Sequence, residues 1–237
     1  MSLPKINTPE YKLNIPSTDE VITYRAFLVK EEKLLLIANE TGDQKAQFQA
    51  IKQLIKGCVT EKLDIDSLPM FDIEYIFLNI RAKSVGEIAK LKIICPDDEK
   101  TQVDVEVDLT KINVEMDEKH NPRIQLTDTI GILMQYPSMD VVAENAILDT
   151  GEATKQLFKL VSECMYQIWE GEEVHDCTDY SYKDKIEFLD SLTHEQFEKI
   201  QQFFETMPSL KKDVEVTNPN TKVTSTVTLQ GVQSFFE

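Results

Sequence analysis

The side chains best suited to chemistry are few and scattered. Three histidines (His120, His175, His194) and four cysteines (Cys58, Cys95, Cys164, Cys177) are spread along 237 residues. His194-Glu195-Gln196-Phe197-Glu198 falls one ligand short of the zinc-holding H-E-x-x-H helix, because Glu198 stands where the second imidazole must be. A capped surface helix accounts for that stretch better. His175-x-Cys177 with Cys164 offers three soft ligands at no spacing that closes a tetrahedral site, and reads as loop residues plus a core cysteine. The glycines at 42, 57, 86, 131, 151, 171 and 231 form no G-x-G-x-x-G or G-x-x-x-x-G-K loop to cradle a phosphate, and G-x-S-x-G is missing too. With 42 acidic residues, no pair of carboxylates stands out as an acid and a base. The expectation is therefore no catalytic residue, no cofactor and no metal site. Two aromatic pairs remain. Phe203-Phe204 reads as core, and Phe235 and Phe236, if exposed, as a partner-binding anchor.

Charge narrows the partners. A net charge of −17 repels phosphate backbones and anionic lipid, so nucleic acid and membrane surfaces are poor partners and a basic protein is a better one. The apolar share of 41% and charged share of 28% are ordinary for a folded protein. Met1–Lys12 lacks the apolar h-region of a signal peptide, and the longest apolar runs fall far short of the ~20 residues of a membrane span. Four dispersed cysteines suggest reduced thiols in a cytosol.

The elements that would position these residues alternate between hairpins and helices. Tyr11–Ile15 and Val21–Phe27 alternate apolar and polar residues across a turn begun by Pro16. Val29–Asn39 changes to a helical period, with Val29, Lys33, Leu36 and Ile37 on one face. Asp43 caps a second helix that Gly57 ends, and Pro69 opens a third, apolar nearly all round and so expected to be the core helix. Lys92–Leu109 and Lys212–Leu229 then present one pattern twice: an alternating run, a turn-rich break, and a second alternating run ending in leucine. Between these copies, Ile112–Met116 is expected to pair with Arg123–Leu126. Ile130–Tyr136 fits either a buried strand or the start of a helix. Helices are expected over Ser138–Leu148 and, beyond Thr150-Gly151, to about Glu170, followed by an acidic loop, Glu172–Tyr180. Ser181-x-x-Asp184 and Thr193-x-x-Gln196 then read as capping boxes of two short helices. The predicted class is α+β, helical blocks packed on short antiparallel hairpins. The predicted halves are 1–137, with a hairpin, three helices and the first repeat, and 138–237, mostly helical and ending in the second; they could form one compact domain.

Several segments carry a resemblance. Tyr24–Leu36 (YRAFLVKEEKLLL), Leu68–Tyr75 (LPMFDIEY), Arg81–Glu87 (RAKSVGE), Leu126–Gly131 (LTDTIG), Met134–Pro137 (MQYP) and Leu229–Phe236 (LQGVQSFF) closely resemble segments of the baseplate hub subunit and hub assembly proteins of T4-like contractile-tailed phages. The matching segments run the length of the chain, and none is a catalytic signature. The resemblance implies a non-catalytic virion protein of the tail baseplate, made in the host cytoplasm. Its partners would be other baseplate and hub proteins, with no small-molecule substrate. It leaves open a permanent hub subunit or a transient assembly chaperone, with a host-modifying enzyme using His175 or His194 as a remote third reading.

In many members of that family both repeat hairpins carry C-x-x-C at the turn, the spacing of a zinc knuckle. Here Cys95-Pro96-Asp97-Asp98 keeps one cysteine and Thr217-Asn218-Pro219-Asn220 none. The resemblance thus implies a degenerate zinc-knuckle-like repeat without metal, in which Pro96 and Pro219 supply part of the rigidity.

Overall fold

The computed structural model describes residues 7–146, 153–231 and 234. In chain order it contains β1 (Glu10–Asn14), β2 (Val21–Arg25), α1 (Val29–Thr41), α2 (Gln44–Cys58), α3 (Met70–Val85), β3 (Ile88–Ile94), β4 (Gln102–Asp108) and β5 (Val114–Glu115). Then come β6 (Arg123–Gln125), β7 (Ile130–Met134), α4 (Met139–Ala146), α5 (Ala153–Cys164), β8 (Met165–Glu170) and β9 (Glu173–Asp176). The series ends with α6 (Tyr182–Asp190), α7 (His194–Thr206), β10 (Ser209–Thr217) and β11 (Thr224–Gln230). Every strand pair among the described residues is antiparallel, and the class is α+β. The chain divides into two compact units, Met1–Glu115 with Ser209–Glu237, and Met116–Pro208. The division anticipated at 137/138 falls inside the second.

The first unit is built on α3. Phe71, Ile73, Ile76, Phe77, Leu78, Ile80 and Ala82 are all buried, as an all-round apolar helix requires. The α2 helix starts where Asp43 accepts the Lys45 amide at 3.0 Å, and runs one residue past Gly57. Its neighbour α1 is turned against its periodicity. Val29, Leu36 and Ile37 are more than half exposed, while Glu31 and Ala38 face inward. Glu31 can be buried because it is fully engaged: Arg25 donates at 2.9 Å and the Leu28 amide at 2.8 Å.

Three hairpins, β1–β2, β3–β4 and β10–β11, begin their turns alike, although Cys95 and Thr101 close a loop one residue longer than those of Ile15 and Glu20 or Asn218 and Val223. In each, a buried residue (Ile15, Cys95, Asn218) precedes a proline (Pro16, Pro96, Pro219). The carbonyl of that buried residue accepts an amide four residues on, from Asp19 at 2.8 Å, Glu99 at 2.9 Å and Lys222 at 2.9 Å. Asp19, Glu99 and Lys222 are the positive-φ residues other than glycine among the described ones, at 57°, 53° and 64°. Proline presets the first φ and the left-handed residue reverses the chain into the next strand. The repeat is therefore threefold in how its turn begins. Its equivalent of Cys95–Asp98 is Asn218–Thr221, one residue later than the alignment through Thr217.

The second unit is a β6-β7-β8-β9 sheet covered by helices. Its core gathers Ile132, Met134, Val161, Cys164, Met165, Leu189, Ile200 and Phe203. Several local expectations change here. Ile130–Met134 is a strand. The helix expected to reach Glu170 stops at Cys164 and continues directly as β8, with Gln135 capturing its last carbonyls: the Gln135 amide donates to Cys164 at 2.8 Å and its side-chain Nε2 to Glu163 at 3.0 Å. The acidic loop contains β9 and a short 3₁₀ turn over Cys177–Asp179. Arg123–Gln125 pairs with β7, while Val114–Glu115 pairs with Leu210 and Ser209 of β10, closing the first unit. Both capping boxes form as expected, at Ser181/Asp184 and Thr193/Gln196.

Candidate functional site

The repeat turns meet within the first unit, and their side chains saturate one another. Asp97 accepts two hydrogen bonds from the Asn218 amide nitrogen, at 3.0 and 3.1 Å, and one from Thr221 Oγ1 at 2.5 Å. Asn220 Nδ2 donates to Thr101 Oγ1 at 3.0 Å. Asn218 is buried, and its Oδ1 accepts the Asn220 amide at 2.9 Å, so its side chain serves both turns. Asp98 accepts the backbone amides of Lys100 and Thr101 inside its own turn. The hydroxyl of Thr221 and the amide of Asn218 hold the Asp97 carboxyl below its ordinary range. Burial pushes the Cys95 thiol up, and the Asp97 and Asp98 charges add to that shift. A protonated thiol, two engaged carboxylates, an amide and a hydroxyl make a brace between hairpins. Reading these turns as degenerate zinc knuckles finds no support here: among the described residues no group of three or more His, Cys, Asp or Glu side chains is arranged to hold a metal ion. The first turn is tied by different means. Ser17 donates through its amide, at 3.1 Å, and its hydroxyl to the buried Asp72 of α3.

The histidines lie in separate settings. His194 and Glu198 form an exposed i,i+4 pair on α7, Nε2 to Oε1 3.2 Å. His175 contacts the Tyr180 hydroxyl through Nδ1 at 3.0 Å, at the rim of a cleft of about 420 Å³ whose apolar wall includes Ile130, Met165, Ile168 and Phe188. Cys177 lines the same cleft but is buried, and burial raises its thiol pKa. Cys164 is buried in the core, and its thiol is pushed up to about 12. Both remain thiols at neutral pH, unsuited to nucleophilic attack or metal binding. His120 joins Tyr136 and Phe203 in a three-ring cluster, its ring centroid 5.5 Å from Tyr136 and 5.1 Å from Phe203, which are themselves 5.6 Å apart, and meets Thr206 Oγ1 through Nδ1 at 3.0 Å. The structure thus brings His175 and Cys177 to one cleft and leaves His120 and His194 elsewhere in the unit.

Phe235 and Phe236, the anticipated partner anchor, lie outside the described residues. Of the other aromatic pair, Phe203 is core and Phe204 is partly buried against it. The outward stripe of α1, Val29, Leu36 and Ile37, is the apolar surface that sequence reasoning assigned no role; its helical spacing was visible, its exposure was not.

A family model described as T4 bacteriophage base plate protein matches residues 8–237. No curated protein matches, and no solved structure does.

Proposed function

We propose that this chain, which belongs to the T4 bacteriophage base plate protein family, is a structural subunit of the base plate hub. It acts by binding other tail proteins and catalyses no reaction. The observation that carries this reading is the extent of the family match, residues 8–237, which spans both compact units. The hub assignment within that family rests on the resemblance of segments such as Leu68–Tyr75 and Leu229–Phe236 to hub proteins. Two further observations support a non-catalytic role. The most reactive side-chain types are buried as protonated thiols or engaged with neighbours, and the polar groups of the repeat turns bond one another.

The acidic surface, at −17 overall, suits partners with basic faces. Quantitative mass spectrometry of purified virions tests the assignment. A hub subunit is present at a fixed copy number in every particle. A protein required for hub assembly yet missing from finished particles would be an assembly factor instead.

A further inference from the structure

We infer that the outer edge of β11 is a strand-accepting surface, onto which a partner protein adds an extended, lysine- or arginine-bearing segment by main-chain pairing. β11 ends the β11-β10-β5 sheet, and among the described residues no strand lies beyond it. Two bonds fix which of its backbone groups face out. Next to the turn the Asn218 amide donates to Val223 at 2.9 Å, and at the far end the Gly231 amide donates to Leu210 at 3.1 Å. In an antiparallel ladder, bonded pairs recur at every second residue. With the register between them unbroken, Ser225, Val227 and Leu229 turn their N–H and C=O toward β10. Thr224, Thr226, Thr228 and Gln230 therefore turn theirs away from the sheet, and their side chains are exposed as well.

From Thr224 to Thr228 nothing on β11 discourages pairing, while at its end the Gln230 carbonyl already accepts Ser234 Oγ at 2.6 Å. Edge strands are normally protected by charge, proline or a bulge. Here residues 223–236 contain no charged residue, in a chain that is 28% charged. The other described strand without a charged residue is β7, which is central, paired to β6 and β8 on its two sides. The register of β11 on β10 runs without a shift from Gln230 to Thr224.

Charge selects the occupant. Asp213 and Glu215 of β10 are exposed, opposite Thr228 and Thr226, and so belong to the face a new strand would extend. A lysine on that strand would stand two strand spacings away, roughly 10 Å, about one screening length, and its long side chain would close part of the gap. Lys211 lies on the same face, two residues before Asp213 and opposite Gln230, so this face of β10 carries two carboxylates and one ammonium, with the carboxylates nearer the turn, while Lys212 points to the other face. A second copy would instead bring a further −17 against this chain. That the basic strand belongs to another base plate protein rests on the proposed function; the accepting edge does not.

The test uses the full chain and an end-capped fluorescent heptapeptide of alternating valine and lysine, followed by anisotropy and amide exchange. The expected result is binding that weakens from about 50 to 200 mM salt, with slowed exchange at Thr224, Thr226, Thr228 and Gln230. Thr226→Pro removes one outward N–H and leaves the β10 ladder intact, so it should weaken binding at least roughly tenfold with unchanged circular dichroism. Thr226→Lys keeps every backbone group and should lower affinity for the lysine peptide while raising it for the glutamate counterpart. Undiminished binding to both variants, protection mapped elsewhere, or a dimer of the chain dissolved by Thr226→Pro would overturn the inference. Virion mass spectrometry is independent of this outcome: a chain missing from virions can still bind the peptide, and a subunit present in them can fail to.

Discussion

The indole of Trp169 fills the space that a side chain at Gly131 would need. The two residues face each other across β7 and β8, and a Cβ at 131 would fall 1.9 Å from Trp169 Cζ2. Arg123 places its guanidinium 4.3 Å from the ring centroid, so the indole also has a cationic partner. A glycine at 131 is thus the condition for a tryptophan at 169.

Gly131→Ala should therefore destabilise the second unit by about 2–4 kcal/mol, because the methyl group can be accommodated only by displacing the ring. Trp169 is the chain's one tryptophan. Its emission should shift to the red in the variant, and a urea titration followed by that emission measures the loss.

Asn218→Ala should cost about 1–3 kcal/mol, since a buried amide that serves both turns is lost and Asp97 forfeits the two hydrogen bonds from its Nδ2. Thermal unfolding of the variant checks this. A stability equal to wild type would mean that the turns do not brace each other.

The Asp97 carboxyl titrates below its ordinary 3.8 because Thr221 and Asn218 donate to its charged form. A depressed folded pKa gives stability that is present above the unfolded value and lost as pH falls through the folded one. Wild type should lose more stability than Asp97→Asn on acidification from about pH 5 to 2.5, and the two melting curves should converge at the acid end.

His120 behaves differently, near neutrality. Burial lowers its pKa from 6.5, with the Asp117 charge opposing, and its Nε2 is buried without a hydrogen-bond partner among the described residues. The unfolded chain takes up the proton first, so stability present above pH 6.5 declines below it until the folded pKa is reached. His120→Phe keeps an aromatic ring against Tyr136 and Phe203 but cannot be protonated. Its melting temperature should be flatter than wild type's between about pH 7 and 5.

Leu36→Ser and Ile37→Ser should each change stability by less than about 0.5 kcal/mol, although both replace aliphatic residues on an amphipathic stripe. Exposures of 56% and 61% are the reason. Chemical denaturation of either variant decides the matter, and a core-like loss of several kcal/mol would show that α1 packs the other way round.

Much of the fold was legible because its signals are local. A cap needs only residues three apart, which is why Ser181/Asp184 and Thr193/Gln196 could be read directly. An all-round apolar segment such as α3 has few places to go but inside. The prolines of the three turns were visible as well. The left-handed residues Asp19, Glu99 and Lys222, which make the turns alike, were not, since aspartate, glutamate and lysine carry no shared mark of that conformation.

Segments, charge, the lack of local catalytic motifs and the family resemblance are all written along the chain, whereas the choice of which segments lie opposite one another belongs to the folded molecule. Met165–Glu170 reads locally as the end of a helix, but it pairs with β7 as a strand, where Gly131 leaves room for Trp169 across the sheet. Val114–Glu115 pairs with β10, almost a hundred residues on, where no local pattern points. The inward face of α1 carries Glu31 because Arg25 and the Leu28 amide are there to compensate it. Periodicity and capping belong to a few consecutive residues, whereas burial, pairing and the exposed edge of β11 depend on neighbours that only the folded chain supplies.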